Sequence, residues 1–328
     1  MSKQILVAGG GGFIGGHLAV RLNEAGHQVR SVDIKPLDQW YQVVEGADNV
    51  VADLKDRQEC QAACHNVGDV YNLAADMGGM GFIESNKALC MLSVLTNTHL
   101  LQAAVEQGVD RFFYASSACV YNGDKQVNED VIPLKEEDAY PAMPEDGYGW
   151  EKLFSERMCR HFREDFGLRT RVARFHNVYG PHGTWDGGRE KAPAAICRKV
   201  IDAKANGAPE IEIWGDGKQT RSFMYIDDCI QGILAVMDSD ILEPINLGSD
   251  ELTTINGLSQ MVEEIAGVQF QHNHNLSAPK GVNGRNSDNA KIMEYLGWAP
   301  SIKLRNGMAK TYAWIEGEYQ KKQAETTV

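Results

Sequence analysis

The sequence predicts an α/β fold built on a doubly wound parallel sheet, with a smaller, discontinuous α/β domain beside it. Three observations predict this. Short apolar segments alternate with helix-length segments over the first ~175 residues. A glycine-rich turn separates the first strand from the first helix. Beyond that stretch, after "YGPHGTWDGG", the rhythm changes to glycine-rich and mixed segments.

In chain order, "QILVAGG" is a short apolar strand, and "FIGGHLAVRLNEAG" puts Ile14, Leu18 and Leu22 on one helical face before Gly26 stops it. The segments "QVRSVD", "NVVADL", "DVYNLAA" and "RFFYASS" read as further strands, with one long helix over 84–107. A helix over 148–166 precedes the strand "RTRVARF", and later helices are expected over 192–205, 226–237, 255–266 and 289–296. Two later segments, "SFMYIDD" and "PINLGS", look like strands returning to the main sheet. The expected domains are therefore 1–175 plus about 223–250, and about 176–222 plus 251–328. The polar tail "EGEYQKKQAETTV" is expected to fray.

Composition narrows the classes. The 328 residues are 43% hydrophobic and 23% charged, ordinary for a globular chain with a large core. The N-terminus "MSKQILVAGG" lacks a basic segment followed by an apolar one, and no run of ~18 uncharged apolar residues is evident, so a soluble cytoplasmic protein without membrane association is expected. Seven cysteines form an odd, scattered set that suits a reducing compartment. Nine histidines make no HExxH or comparable ligand set, so no metal is expected. A net charge of −13 argues against nucleic acid as a partner. It leaves room for a small anion, for which Arg189, Lys191, Arg198 and Lys199 form a local cationic cluster, or simply scattered surface charge.

The glycine turn "GGGGFIG" spaces Gly9, Gly12 and Gly15 as G-x-x-G-x-x-G between strand and helix, the context a Rossmann dinucleotide site requires. Asp33 ends the second strand 24 residues after Gly9, where a carboxylate accepts from ribose hydroxyls and repels a 2′-phosphate. NAD is the cofactor expected. Asp53, after the third strand, suits either the adenine or a helix N-cap. In "YGWEK", Tyr148 and Lys152 share a helical face. A tyrosine with a pKa near ~10 must be lowered by roughly 3 units, about 4 kcal/mol, to act as a base near neutrality. The Lys152 ammonium, together with a cationic nicotinamide, is expected to lower it.

Taken in order, Gly9-x-x-Gly12-x-x-Gly15, Asp33, Asp53, "NLAA", "SS", Tyr148-x-x-x-Lys152 and "RFHNVYGP" resemble the extended short-chain dehydrogenase/reductase family over essentially the whole chain. The resemblance implies a retained NAD, a nucleotide-sugar substrate held by the smaller domain, and a homodimer. It adds Phe13, Ile14, Leu73, Ala74 and Ala75 to the cofactor contacts. Tyr148 would remove the proton of the sugar 4-hydroxyl, Lys152 would hold the nicotinamide ribose, Ser117 would bind the reacting hydroxyl, and Asn177 and Arg221 would contact the diphosphate.

A ketone at C4 acidifies C3 and C5, and family members diverge there. The 4,6-dehydratases follow "SS" with an Asp-Glu pair where this chain has Ala118 and Cys119, so dehydration is poorly supported. A simple 4-epimerase needs no further acid or base and leaves Lys191 unexplained. A thiol on one side of the ring and an amine on the other can invert a carbon beside a ketone. The blocks "NLAADMGGMGFIESN", "RFFYASSACVY", "GTWDGGREKAPAA", "WGDGKQTRSF" and "GRNSDN" closely resemble the plant-type GDP-mannose 3,5-epimerase branch. That resemblance makes Cys119 and Lys191 the acid/base pair and places Gly78, Ser117, Glu190, Lys199, Gln219, Arg221 and Arg285 around a GDP-hexose. Open alternatives are a nucleotide-sugar 4-epimerase, a 3,5-epimerase of another GDP-hexose or GDP-heptose, and a non-catalytic NAD- or nucleotide-sugar-binding protein. Period-two geometry puts Ser117 and Cys119 on one side of an extended segment.

Overall fold

The computed structural model describes residues 4–279 and 281–326. The first half runs β1 (Gln4–Ala8), α1 (Phe13–Glu24), β2 (Val29–Asp33), β3 (Asp48–Val51), α2 (Arg57–Cys64), β4 (Val67–Asn72), α3 (Met80–Ser85), α4 (Lys87–Met91), α5 (Ser93–Glu106), β5 (Arg111–Ser117), α6 (Tyr148–Phe166) and β6 (Arg169–Phe175). Next come β7 (Asn177–Tyr179), α7 (Ala192–Asn206), β8 (Glu210–Trp214), β9 (Thr220–Tyr225), α8 (Ile226–Asp238) and β10 (Ile245–Leu247). The chain ends with β11 (Leu252–Thr254), α9 (Ile255–Ala266), β12 (Gln271–Asn275), β13 (Gly284–Arg285), α10 (Ala290–Leu296) and α11 (Leu304–Thr326).

Seven strands form one sheet in the order β10-β6-β5-β4-β1-β2-β3, and every pairing in it is parallel. Strand β1 reads as a continuous apolar run because helices cover both its faces; Leu6, Val7 and Ala8 are fully buried. Residues of α1 and α8 fill the core on one face, and those of α2, α5 and α6 fill it on the other. The register puts Ala8 beside both Val32 and Asn72. Gly9, Asp33 and Leu73 therefore emerge together where the strand order reverses, the crevice in which doubly wound sheets bind ligands. Deeper in the molecule, Glu156 of α6 accepts from Arg174 of β6 through both oxygens, at 2.9 and 2.8 Å, and from the Ser116 hydroxyl at 2.6 Å. This buried pair clamps α6 to the sheet and fixes where its first residue, Tyr148, stands.

Four expectations change. The strand within "SFMYIDD" is part of β9, which pairs with β7, β11 and β13 in a separate sheet, whereas the β10 strand of "PINLGS" does join the main one. Apolarity identifies a strand but carries no address for its partner. The single helix over 84–107 is three helices, with a non-helical Asn86 between α3 and α4. Residues Lys87–Glu106 reach a mean hydropathy of 1.4, apolar enough by length and composition to cross a membrane. Here Leu100 and Leu101 are fully buried, in the core that α5 shares with α2, β4 and β5. The described part of the tail also holds as helix α11 to Thr326, because Met308, Tyr312 and Ile315 bury one of its faces upstream; Thr327 and Val328 lie outside the described residues.

Candidate active site

The glycine turn is a cradle that side chains would fill. Gly9 has φ +85°, and a Cβ there would come within 2.9 Å of the Ala74 nitrogen. A Cβ on Gly15 would overlap the Gly9 carbonyl, so α1 packs this close only without one. Gly12 caps α1 with no side-chain hydrogen bond, leaving the helix N-terminus available to an anion. A cavity of about 270 Å3 starts at Gly9, Gly12, Phe13, Ile14 and Gly15, passes Leu73 and Ala75, and ends at Ser117, Tyr148 and Lys152. Ala74 backs Gly9 rather than lining the cavity, and its N–H donates to Asn72 Oδ1 at 3.3 Å. Asp33 is buried at the end of β2 and accepts the Lys35 N–H at 3.0 Å. Asp53 is exposed and accepts the Lys55 N–H at 3.0 Å, while Asp56 takes the N-cap of α2. Of the two readings of Asp53, the helix cap is thus excluded.

Tyr148 opens α6, and Lys152 lies one turn later, with its ammonium 5.5 Å from the Tyr148 ring centre and donating to the Ala115 carbonyl at 3.1 Å. The protein's own groups move Tyr148 in the opposite direction to the expected lowering. Burial pushes the phenol well above its ordinary value, Cys119 and Glu151 add to that, and only the Ser117 hydroxyl works the other way. Lys152 shares its surroundings with buried Glu151, 3.8 Å away, whose carboxylate offsets its charge.

A second cavity of about 480 Å3, a volume that suits a small-molecule ligand, meets the first at Gly78, Ser117, Tyr148 and Lys191. All ten residues expected to bind substrate line it: Gly78, Ser117, Cys119, Asn177, Glu190, Lys191, Lys199, Gln219, Arg221 and Arg285. Their partners divide them. Glu190 accepts from Arg198 Nη2 at 2.9 Å, and Lys199 donates to the Glu212 carboxylate at 3.1 Å, so these two of the four cations in the cluster are offset by neighbouring acids. Gln219 donates to the Trp214 carbonyl at 2.9 Å, and its buried Oε1 has no partner among the described residues, which leaves it open to a ligand donor. Asn177 donates to the Ser222 carbonyl at 3.1 Å. Arg221 donates to the Thr220 carbonyl at 2.7 Å, and burial pushes its guanidinium down to about 10, with Arg285 adding repulsion. Strands β8 and β9 pair with different partners, so "WGDGKQTR" is no hairpin: its turn carries Gln219, and the start of β9 carries Arg221, into the cavity.

Cys119 is not on an extended segment. It sits in a single 3-10 turn, Ala118–Val120, whose N-cap is Ser117; the Cys119 N–H donates to Ser117 Oγ at 3.2 Å. Tyr148, Lys191 and Cys119 nevertheless face one cavity. Burial pushes the Cys119 thiol up to about 11, Glu145 adds to this, and Arg285 opposes it from 3.7 Å. Lys191 is the N-cap of α7, and burial pushes its amine below its usual value against the attraction of Cys119 and Cys229. Both members of the pair are thus moved toward their neutral forms.

The sequence profile of the NAD dependent epimerase/dehydratase family matches residues 5–248. The chain belongs to that family. Among family relatives, GDP-mannose 3,5-epimerase 1 of Oryza sativa subsp. indica is 46% identical over 323 residues, covering 98% of this chain and 84% of the relative. GDP-mannose 3,5-epimerase of Arabidopsis thaliana is 45% identical over 322 residues, with the same coverage, 98% and 84%. Among solved structures, UDP-glucose 4-epimerase of Thermotoga maritima with UDP-glucose superposes with a TM-score of 0.86 at 26% identity, covering 98% of this chain and 99% of that one.

The glycine turn fits the cofactor of this NAD dependent family, because without side chains at Gly9 and Gly15 the turn packs against Ala74 and α1 packs against the Gly9 carbonyl, which keeps the helix N-terminus close to where a pyrophosphate would lie. Gly15→Ala is accordingly expected to abolish NAD retention, read as nucleotide released on denaturing the purified protein. One residue of this family member escaped the sequence reading. Glu145, in the irregular loop before α6, forms an ion pair with Arg285, and its N–H donates to the Cys119 carbonyl at 3.0 Å. The only signal was its place three residues before Tyr148.

Proposed function

We propose that this chain epimerises GDP-mannose at C3 and C5 without net redox change, through a transient 4-keto sugar, giving GDP-L-galactose and, where C5 alone inverts, GDP-L-gulose. The observation that carries this reading is the convergence of Cys119 and Lys191 on the cavity that Ser117 and Tyr148 also line. The relatives named GDP-mannose 3,5-epimerase supply the identity of the sugar nucleotide. Gly9, Gly12, Gly15, Asp33 and Lys152 would hold NAD, which supplies a reversible hydride acceptor for C4. Ser117 orients the C4 hydroxyl and Tyr148 takes its proton. Cys119 and Lys191 then move protons at the carbons that the ketone has acidified. Arg221 and Asn177 meet the diphosphate.

Incubation with GDP-mannose in deuterated water tests this. Inversion at C3 and C5 with deuterium at both carbons, read by NMR, is the expected result. Inversion at C4 with no solvent deuterium would instead identify a 4-epimerase, the activity named for the similar Thermotoga fold. Retained NAD with no turnover would mark a binding protein.

The functional unit in this reading is a homodimer. Met91, Leu92 and Leu95, at the junction of α4 and α5, are exposed, as are Trp150 and Phe154 of α6, the helix on which α4 and α5 pack; these exposed apolar side chains are the candidate dimer contacts. Phe154→Asp should shift the light-scattering mass from dimer to monomer; an unchanged mass would move the interface elsewhere. Seven free, buried cysteines suit a cytoplasmic setting.

A further inference from the structure

Glu145 has no part in the chemistry above, yet it stands against its most reactive group. Its carboxylate is paired through Oε1 with Arg285 Nη2, and Arg285 Nη1 is 3.7 Å from Cys119 Sγ. Arg285 is held in turn by Gln126 Oε1 at 2.6 Å. The second carboxylate oxygen, Oε2, is buried and accepts no hydrogen bond from any nitrogen or oxygen of the described protein. A buried carboxylate oxygen is costly without a donor. The donor at hand is the Cys119 thiol, whose interaction with Glu145 lowers the carboxyl and raises the thiol. The backbone locks the arrangement, since the Glu145 N–H donates to the Cys119 carbonyl and a Cβ on Gly149 would overlap that same carbonyl.

We propose that Glu145 is a positioning residue that determines which member of the Cys119/Lys191 pair holds their shared proton, with its ionised carboxylate keeping that proton on the Cys119 sulfur. The proposal rests on the epimerase reading for its consequence, not for its geometry. The charged and titratable groups facing Cys119 are Glu145, Arg285, Arg221, Lys191 and Tyr148. The cations Arg285, Arg221 and Lys191 favour thiolate; Glu145 and an ionised Tyr148 oppose it. Glu145 is itself ionised: burial works to raise its carboxyl, but Arg285 outweighs burial and holds it below the usual carboxylate range. Removing its charge leaves cations around the sulfur, and the thiol must ionise more easily. No bond is made or broken beyond transfer of that one proton.

The site can be read without turnover. Cys119 lines the open cavity, whereas the other six cysteines are 0% exposed, so iodoacetamide reports on Cys119 selectively. In the wild-type protein the second-order alkylation rate should climb about tenfold per pH unit up to pH ~9 without levelling. Levelling below the ordinary thiol value of ~8.5 would overturn the proposal on its own. Glu145→Gln should raise the rate at pH ~7.5 by about tenfold or more. Glu145→Asp keeps a charge for Arg285 but withdraws it from the sulfur by one methylene, so it should give a smaller rise. Unchanged alkylation in a folded Glu145→Gln or Glu145→Asp protein, even with activity lost, would reduce Glu145 to a structural role. Failure of the wild-type protein to exchange C3 and C5 hydrogens would sink the epimerase reading while leaving the alkylation result standing.

Discussion

Tyr148→Phe should lower turnover of GDP-mannose by about a thousandfold, within the range expected for loss of a general base. The substitution removes one oxygen and keeps the ring, which packs with Ile83, Cys90 and Cys119. Folding and NAD retention should therefore be unchanged. Because C3 and C5 become acidic only after C4 is oxidised, the variant should lose solvent deuterium exchange at both carbons in the same proportion as turnover. Exchange persisting within tenfold of wild type would show that another group takes the C4 hydroxyl proton. The pH dependence follows from the direction of the shift. Burial first, then Cys119 and Glu151, hold the phenol above its ordinary value, so its ionised form is scarce at neutrality and grows as pH rises. Hydride transfer limited by this proton should accelerate with pH across the neutral range.

That direction marks the boundary of what was legible in the sequence. Tyr148, Lys152 and the glycine turn were legible because each is a local pattern: a spacing along one helix, or a turn whose glycines have no room for a side chain. The environment of Tyr148 was not, because Glu151 and Cys119 act on it through burial that no spacing reveals. The same contrast runs through the fold. Apolar runs announced the strands, but β9 found its partners in the second sheet through pairings with segments far along the chain. The helix over 84–107 is interrupted at Asn86, whose backbone leaves the helical region and whose side chain donates to the Phe82 carbonyl at 2.9 Å, an alternative to the helix that apolar periodicity does not show. Glu145 was invisible for the same cause: its ion-pair partner, Arg285, is 140 residues away, and the loop that carries it has no period. Cys119 reached its expected cavity by a 3-10 turn rather than an extended strand, so the destination was right and the route was not.

Cys119→Ala should separate two steps that Tyr148→Phe removes together. The variant lacks the thiol but retains Tyr148, Ser117 and Lys152 at the C4 end of the cavity. Adding GDP-mannose should still produce the absorbance of reduced nicotinamide, whereas inversion at C3 and C5 should fall about a thousandfold. The stability cost should be small, about 1–2 kcal/mol, because only a sulfur is lost from a site bordering a cavity. Stereochemistry makes this prediction sharper than a rate. Inversion needs a proton removed from one face and returned to the other, and Lys191 alone can serve only one. Any deuterium that still enters Cys119→Ala should therefore do so with retained configuration at that carbon. Deuterium with inversion at wild-type rate would remove Cys119 from the acid/base pair. Deuterium with retention would show Lys191 working from a single face, and the carbon that carries it would name the face on which Lys191 stands.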